Sequence, residues 1–360
     1  MTALATVDSK VRTTRNKQIA LAVLFLALLI MPLGTQVADQ TWVTNSRLFQ
    51  FTQMFMLIAL ASNWNLTGGF IGYVDFGHAV FFGLGAYATG VMMTNQHSIQ
   101  WPFWPAVIVG AIVAAIFAVM IGFPTLRLKG PYFSIAMLGT FVAMREIVRV
   151  SKPVTGGGVG LTLPPYLNRA LFYYLTLGLA AAIITFAWWI RRSEFGSSLI
   201  AIREDEVGAE MRGINTTLHK ITIFVMAGFL TGIVGGIWAY QNTFIDPDIV
   251  FVDSRTIDLV MMTMLGGLGT VAGPVVGAAA IYWLRDVVWA AFFDWHLMIQ
   301  GSLLIAIVLF VPSGLVGLFR RDGSGTSLQR LWGRWLAKQG DEPIEADMGN
   351  DAPTDQGTQP

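Results

Sequence analysis

Asp75 and His78 stand three residues apart in the run Tyr73-Val74-Asp75-Phe76-Gly77-His78, and share a face wherever a helix has already begun. A carboxylate and an imidazole so placed share a hydrogen bond or a proton, and inside a bilayer an ionisable pair of this kind marks a path for a polar solute or an ion. Asp258, an acid within another apolar stretch, joins Tyr73, Asp75 and His78 as a candidate for that path. A plainer reading stands beside it: Asp75 caps the helix running through Ala79, Phe82 and Tyr87, with His78 packed beside it. Arg145, Glu146 and Arg149 have ion-pair spacing at a helix end and read as a rim salt-bridge set.

Catalytic chemistry finds little to work with. There are no cysteines, and His78, His97, His219 and His296 are scattered without metal-ligand spacing. An Asp–His pair without a nucleophile is not a hydrolytic triad. Gly267-x-Gly269-x-x-x-Gly273 lacks the spacing and preceding strand of a dinucleotide site, and Gly156 to Gly160 lacks the Lys-Ser/Thr of a phosphate loop. The chain is therefore expected not to be an enzyme, to carry no cofactor or metal, to bind no ATP itself and to have no nucleic-acid partner.

The elements that hold these residues are apolar. Of 360 residues, 54% are hydrophobic and only 12% charged, against about a quarter charged in soluble domains. A membrane helix needs about 20 apolar residues. Ten stretches qualify, near 18–38, 48–67, 74–94, 103–123, 132–150, 169–190, 219–240, 255–267, 273–293 and 297–319. The eighth is short, and Gly266-Gly267-Leu268-Gly269 with Gly273-Pro274 favours a tight reversal there over one long helix. Glycines 83, 85 and 90 of the third stretch are suited to close helix approach. The fold expected is all-α, a polytopic membrane protein of about ten spans.

Orientation follows from the basic residues, which collect on the cytoplasmic side. With both ends inside, that side receives Lys10, Arg12, Arg15, Lys17, Arg127, Lys129, Arg191, Arg192, Arg203, Arg212, Lys220, Arg320, Arg321, Arg330, Arg334 and Lys338, which is 16 of 23. The first span follows a basic stretch like a secretory signal but lacks a clean small-x-small cleavage site, so it reads as an uncleaved helix. Residues 1–17 then form a cytoplasmic segment, 18–320 the membrane domain and 321–360 a cytoplasmic, largely disordered tail, with a surface helix near 328–336.

The longest cytoplasmic connection, 195–214, far exceeds the few residues a bare link requires. Leu199, Ile202 and Glu206 fall at helical spacing, with Arg203, Glu204, Asp205 and Glu210 on other faces and Gly213 as a stop. Such a segment is either a docking helix or a solvated loop.

The run Ala201-Ile202-Arg203-Glu204-Asp205-Glu206 with Gly213-Ile214 resembles the ATPase-coupling loop of branched-chain amino acid ABC transporter permeases. Further segments resemble the same family in the same order: Gly68 to Tyr87, Leu126 to Leu138, Thr155 to Leu161, and Ser254 to Gly277 around GGLGTVAGP. The likeness covers about 48–320 and is greatest to the larger, M-type permease, while Asn63-Trp64-Asn65 and Asp75 depart from the usual pattern. The resemblance implies a permease subunit of the bacterial inner membrane. Its partners would be a second permease, two ATP-binding subunits and an extracytoplasmic substrate-binding protein. Its work would be import of a branched-chain or related small amino acid by alternating access. A urea or short-chain amide importer is the related alternative. An ion-coupled secondary transporter, with Asp75, His78 or Asp258 carrying the coupling charge, is the rival from another class.

Overall fold

The computed structural model describes residues 26–32, 45–94, 101–166, 168–291, 298, 301–302, 305 and 314–319. These lie within a compact unit spanning 1–318, apart from Phe319, which opens a second unit of 319–360. The expected segment 1–17, the tail 321–360 and its surface helix lie outside the described residues.

A helical stretch at 26–32 is followed by α1 (Asn45–Asn65), α2 (Ala79–Met93), α3 (Phe103–Thr125), α4 (Pro131–Val150), α5 (Arg169–Arg192), α6 (Glu194–Glu204), α7 (Glu206–Met211), α8 (Thr216–Asn242), α9 (Asp253–Gly266), α10 (Ala272–Ala291) and α11 (Gly314–Phe319). Four of these helices, α5 to α8, start at short polar side chains that accept the first free amides. Asn168 caps Leu171 N at 3.1 Å, Ser193 caps Gly196 N at 3.1 Å, Asp205 caps Val207 N at 3.1 Å and Asn215 caps Leu218 N at 3.0 Å. Pro131 opens α4 at a position where a missing N–H costs nothing.

Among the described residues, four helices are long and apolar enough to cross a membrane: Ser46–Ile71, Phe103–Thr125, Arg169–Arg192 and Thr216–Asn242. α2, α4, α9 and α10 fall on four more of the expected stretches. The first and last expected spans lie mostly outside the described residues. The glycine-rich break at 267–271 does reverse the chain: a Cβ on Gly273 would strike Gly267 O, and one on Gly277 would strike Met262 O at 1.8 Å, the register of an antiparallel hairpin. Among the described residues, the one sheet is a two-stranded antiparallel pair, β1 (Leu161–Thr162) with β2 (Phe244–Ile245). It sits beyond the C-terminus of α8, whose 27 residues separate it by about 40 Å from the end carrying α6 and α7.

α1 is the hub. It packs on α5, α8, α9 and α10 and is almost wholly enclosed, whereas α3 and α5 leave much of their surface outward. α8 lies against α2 and α3 through small residues, and a Cβ on Gly85 would strike Gly232 O at 2.2 Å. Gly83 and Gly90 serve differently. Each leaves room for a side chain, Phe251 and Ile245 respectively, rather than for a helix backbone.

Candidate functional site

α1 does not end as an α-helix. It widens into a π-helix, Leu66–Ile71, and stops at Gly72 with φ +83. The local cause is steric: a Cβ on Gly68 would overlap the Trp64 ring at 2.2 Å, and one on Gly69 would overlap Asn65 Oδ1 at 1.9 Å. Two bulky side chains lie back over the next turn, and only glycines leave them space. Isolated π turns concentrate where helices serve a function.

After Gly72 the chain runs through 73–75 outside any helix or strand. Gly72, Val74 and Phe76 line a groove of ≈ 560 Å³ whose other wall is the start of α4, with Gly130, Pro131, Ser134, Ile135 and Leu138. Ser134 Oγ donates to Val74 O at 2.6 Å and ties the walls together. Tyr73 and Asp75 point the other way.

Asp75 and His78 are both fully buried. Asp75 Oδ1 accepts from Gly77 N at 2.8 Å, and Oδ2 lies 3.1 Å from His78 Nδ1. His78 Nε2 is 2.8 Å from Thr231 Oγ1, which also takes a 2.6 Å bond from Asn63 Nδ2. In the neutral imidazole, this geometry has Nδ1–H donating to the carboxylate and Nε2 accepting from the threonine hydroxyl. Trp64 Nε1–H donates to Asp75 O at 2.8 Å. Asp75 and His78, two of the candidates for a solute path, are joined by hydrogen bonds that link α1, the 72–78 turn and α8. Asp75 caps the turn at 77 rather than the first residues of α2. The Asn63-Trp64 step supplies two of the donors in this linkage.

Asp258 is also buried, and its Oδ2 is ion-paired with Arg285 Nη1 at 2.5 Å across the α9–α10 hairpin. At the end beyond the sheet, Arg149 pairs with Glu146 at 3.3 Å and with Asp248, and Arg145 lies 3.7 Å from Glu146. Sequence spacing misses Asp248 because it belongs to a turn 99 residues away.

At the opposite end, the 195–214 segment is two short helices, broken at Asp205, whose extended backbone (φ −156, ψ 106) and side chain start α7. Leu199, Ile202 and Ala209 are buried against Leu66, Phe70 and Ile71 of the π-helix and against Ala187, Ile190 and Ile223. Glu206, third residue of the apolar face in sequence, follows them inward. Its Oε1 pairs with Lys220 Nζ at 2.7 Å and its Oε2 accepts from Tyr73 OH at 3.0 Å, while Lys220 also donates to Leu126 O at 3.0 Å. Burial pushes the Glu206 carboxyl up, but the hydrogen bonds from Lys220 and Tyr73 and the Lys220 charge outweigh it, and the group is held below the ordinary carboxylate range. Burial and the neighbouring Glu206 raise the Tyr73 phenol in turn. Ala201 is half-buried, Glu204 and Asp205 face outward with Val207, Glu210 and Met211, and Arg203 pairs with Glu204 at 2.5 Å through Nη2 while its Nη1 reaches inward to Gly69 O. Gly213 ends the segment at φ +82.

Residues 47–308 match the family described as branched-chain amino acid transport system / permease component. The chain is 23% identical over 300 residues to the high-affinity branched-chain amino acid transport system permease protein LivM of Salmonella typhimurium, covering 75% of this chain and 69% of that one. It is 25% identical over 315 residues to the autoinducer 2 import system permease protein LsrC of Salmonella typhi, covering 82% and 86%. The L-arabinose ABC transporter permease protein AraH of Azospirillum brasilense is 24% identical over 259 residues, 67% and 72% of the two chains. No solved structure matches. With the matched region spanning most of the chain, the chain belongs to the family of branched-chain amino acid transport system permease components.

Proposed function

We propose that this is the M-type permease subunit of an ATP-driven importer in the bacterial inner membrane, with about ten spans, both termini and the 194–214 segment cytoplasmic. It works with a second permease subunit, two ATP-binding subunits that supply hydrolysis, and an extracytoplasmic substrate-binding protein. The bundle offers two packings, and closure of the ATPases selects between them.

One observation carries this reading: α6 and α7 bury one apolar face on the π-helix yet leave Val207 and Met211 54% and 85% exposed among Glu204, Glu210 and Arg212. Apolar side chains set among charges on an outward face suit a partner's pocket. The coupling surface is therefore Glu204, Val207, Glu210 and Met211, held in place by Ala201, Ile202, Arg203, Asp205, Glu206 and Gly213. Val74, Phe76 and Ser134 line the translocation path, and Tyr73, Asp75, His78 and Asp258 shape it from behind.

The substrate is a branched-chain or related small amino acid, the class named for the LivM relatives. The LsrC and AraH relatives favour a second reading, a sugar-like solute. Calorimetry on the cognate binding protein with leucine, urea and arabinose separates these: leucine binding is expected, and arabinose binding alone would replace it. For the machine itself, tagged permease should retain the ATPase encoded beside it. Uptake that persists without any ATPase, and varies with pH, would establish the ion-coupled alternative instead.

A further inference from the structure

Two glycine turns from opposite ends of the sequence touch backbone to backbone beneath α6. A Cβ on Gly69 would lie 2.7 Å from Gly269 N, and one on Gly269 would lie 3.0 Å from Gly69 O. Asn65 stitches the pair: its Oδ1 accepts from Gly269 N at 2.9 Å and its Nδ2 donates to Thr270 O at 2.8 Å. Two arginines then reach in. Arg203 Nη1, from α6, donates to Gly69 O at 2.9 Å, and Arg191 Nη1, from the end of α5, donates to Gly269 O at 2.5 Å. The Arg203 stem lies over Gly72, where a Cβ would meet its Cγ at 2.7 Å.

Gly69 O belongs to the last turn of a helix, where carbonyls lack intrahelical partners. Arg203 supplies the missing donor from the segment proposed to meet the ATPase. A charged donor to a carbonyl is among the stronger hydrogen bonds, and a guanidinium holds its direction better than an ammonium. On the far side of this junction, the π-helix feeds directly into the 72–76 wall of the groove, and the 267–270 turn joins α9 to α10.

We propose that Arg203, with Arg191 and Asn65, forms a transmission clamp. It makes α6, the π-helix and the 267–270 turn move as one body, so that displacement of the coupling segment is delivered to the groove wall and to the α9–α10 hairpin together. These are positioning residues that act through backbone carbonyls, and the inference rests on the coupling role proposed for α6–α7.

The absence of cysteine permits a direct test. Spin labels at Ser197, on α6, and Leu268, in the turn, are both surface positions outside the clamp. In the purified complex with its ATPase, the distance between them should be the same without nucleotide and with ATP trapped. Arg203→Ala should let that distance shift on ATP trapping while ATP hydrolysis continues, and Arg203→Lys, which keeps a donor of similar reach, should restore the fixed distance. A wild-type pair that already shifts, or an Arg203→Ala pair that stays fixed, overturns the clamp even though the ATPase binds. If Arg203→Ala does not accumulate, Asn65→Asp replaces it as the loosening variant: it removes the donor to Thr270 O, and an unchanged distance overturns the proposal equally. Failure of the wild-type chain to retain an ATPase at all would instead remove the coupling reading beneath it.

Discussion

Glu206 and Lys220 are ion-paired at 2.7 Å under Tyr73, with only 18% and 5% of their side chains exposed. The acidic run that looks like a uniform docking surface therefore has two jobs. Glu204 is largely exposed and pairs with its neighbour Arg203, while Glu206 locks α7 onto the first turn of α8. Breaking a buried pair from one side leaves the other charge unpaired, at a cost of about 3 kcal/mol. Lys220→Met should lower the thermal midpoint of the detergent-solubilised protein markedly, while Glu204→Gln, which gives up only an exposed pair worth under about 1 kcal/mol, should change it little.

The same pair sets an acid limit. The Glu206 carboxyl is held below its free value of 4.5, so its stabilisation is fully present above that pH and is lost as pH falls through the lower folded value. Midpoints recorded from pH 7 downward should fall below pH 4.5 more steeply in the wild type than in Glu206→Gln. Parallel curves would show that other carboxylates govern acid stability.

For docking, Met211→Asp and Val207→Asp should leave the bundle intact and remove the co-purifying ATPase, because both side chains already face outward. Glu206→Lys is expected to fail by misfolding instead, placing two like charges against each other. Size-exclusion profiles alongside pull-downs distinguish the two failures.

Gly213 has open space where a Cβ would go, yet sits at φ +82. Substitution there is a backbone effect alone, about 1–2 kcal/mol for an ordinary residue in the left-handed region. Gly213→Val should weaken ATPase retention by re-aiming α7, whereas Gly213→Asn, which tolerates that conformation, should retain most of it. Equal loss in both would point to a side-chain clash with the partner.

Asp75→Asn keeps an acceptor for Gly77 N but presents an amide to His78 Nδ1, forcing the imidazole to its other tautomer. Asp75→Ala leaves buried donors unanswered, a cost of about 1–3 kcal/mol each. The Asn variant should reach the membrane in greater amounts than the Ala variant, measured by quantitative blotting. The reverse order would mean that the negative charge, rather than the acceptor, holds the linkage.

Much of this was readable in sequence because it is local. Helix positions follow apolar run length, but the break at Asp205 within the 195–214 segment was not foreseen. The antiparallel turn at 267–271 is visible in its glycines, and Leu199, Ile202 and Glu206 do share an inward face. What escaped is long-range. Asn63 gives no sign that it reaches Thr231 across 168 residues, and Lys220, which reads as a cytoplasmic positive charge, is spent on Glu206. The π-helix escaped for another reason. Its cause is two side chains folding back over glycines, a packing event with no periodicity of its own.

The enclosure of α1 has a consequence for how the protein is made. Of the four long apolar helices it is the least hydrophobic, carrying Ser62, Asn63 and Asn65, and its neighbours α5, α8, α9 and α10 are all synthesised after it. When it leaves the ribosome, no surface yet exists to answer those polar groups, and in lipid each is costly. Retention in the membrane at that stage must come from its apolar residues alone, and its final seat opens only when α5 arrives about a hundred residues later, at 169–192. A biogenesis defect is therefore the expected phenotype of polar additions to α1, such as Ala59→Asn, even where the finished bundle has room for them, and α5 truncations should strand α1 as a target for membrane proteolysis.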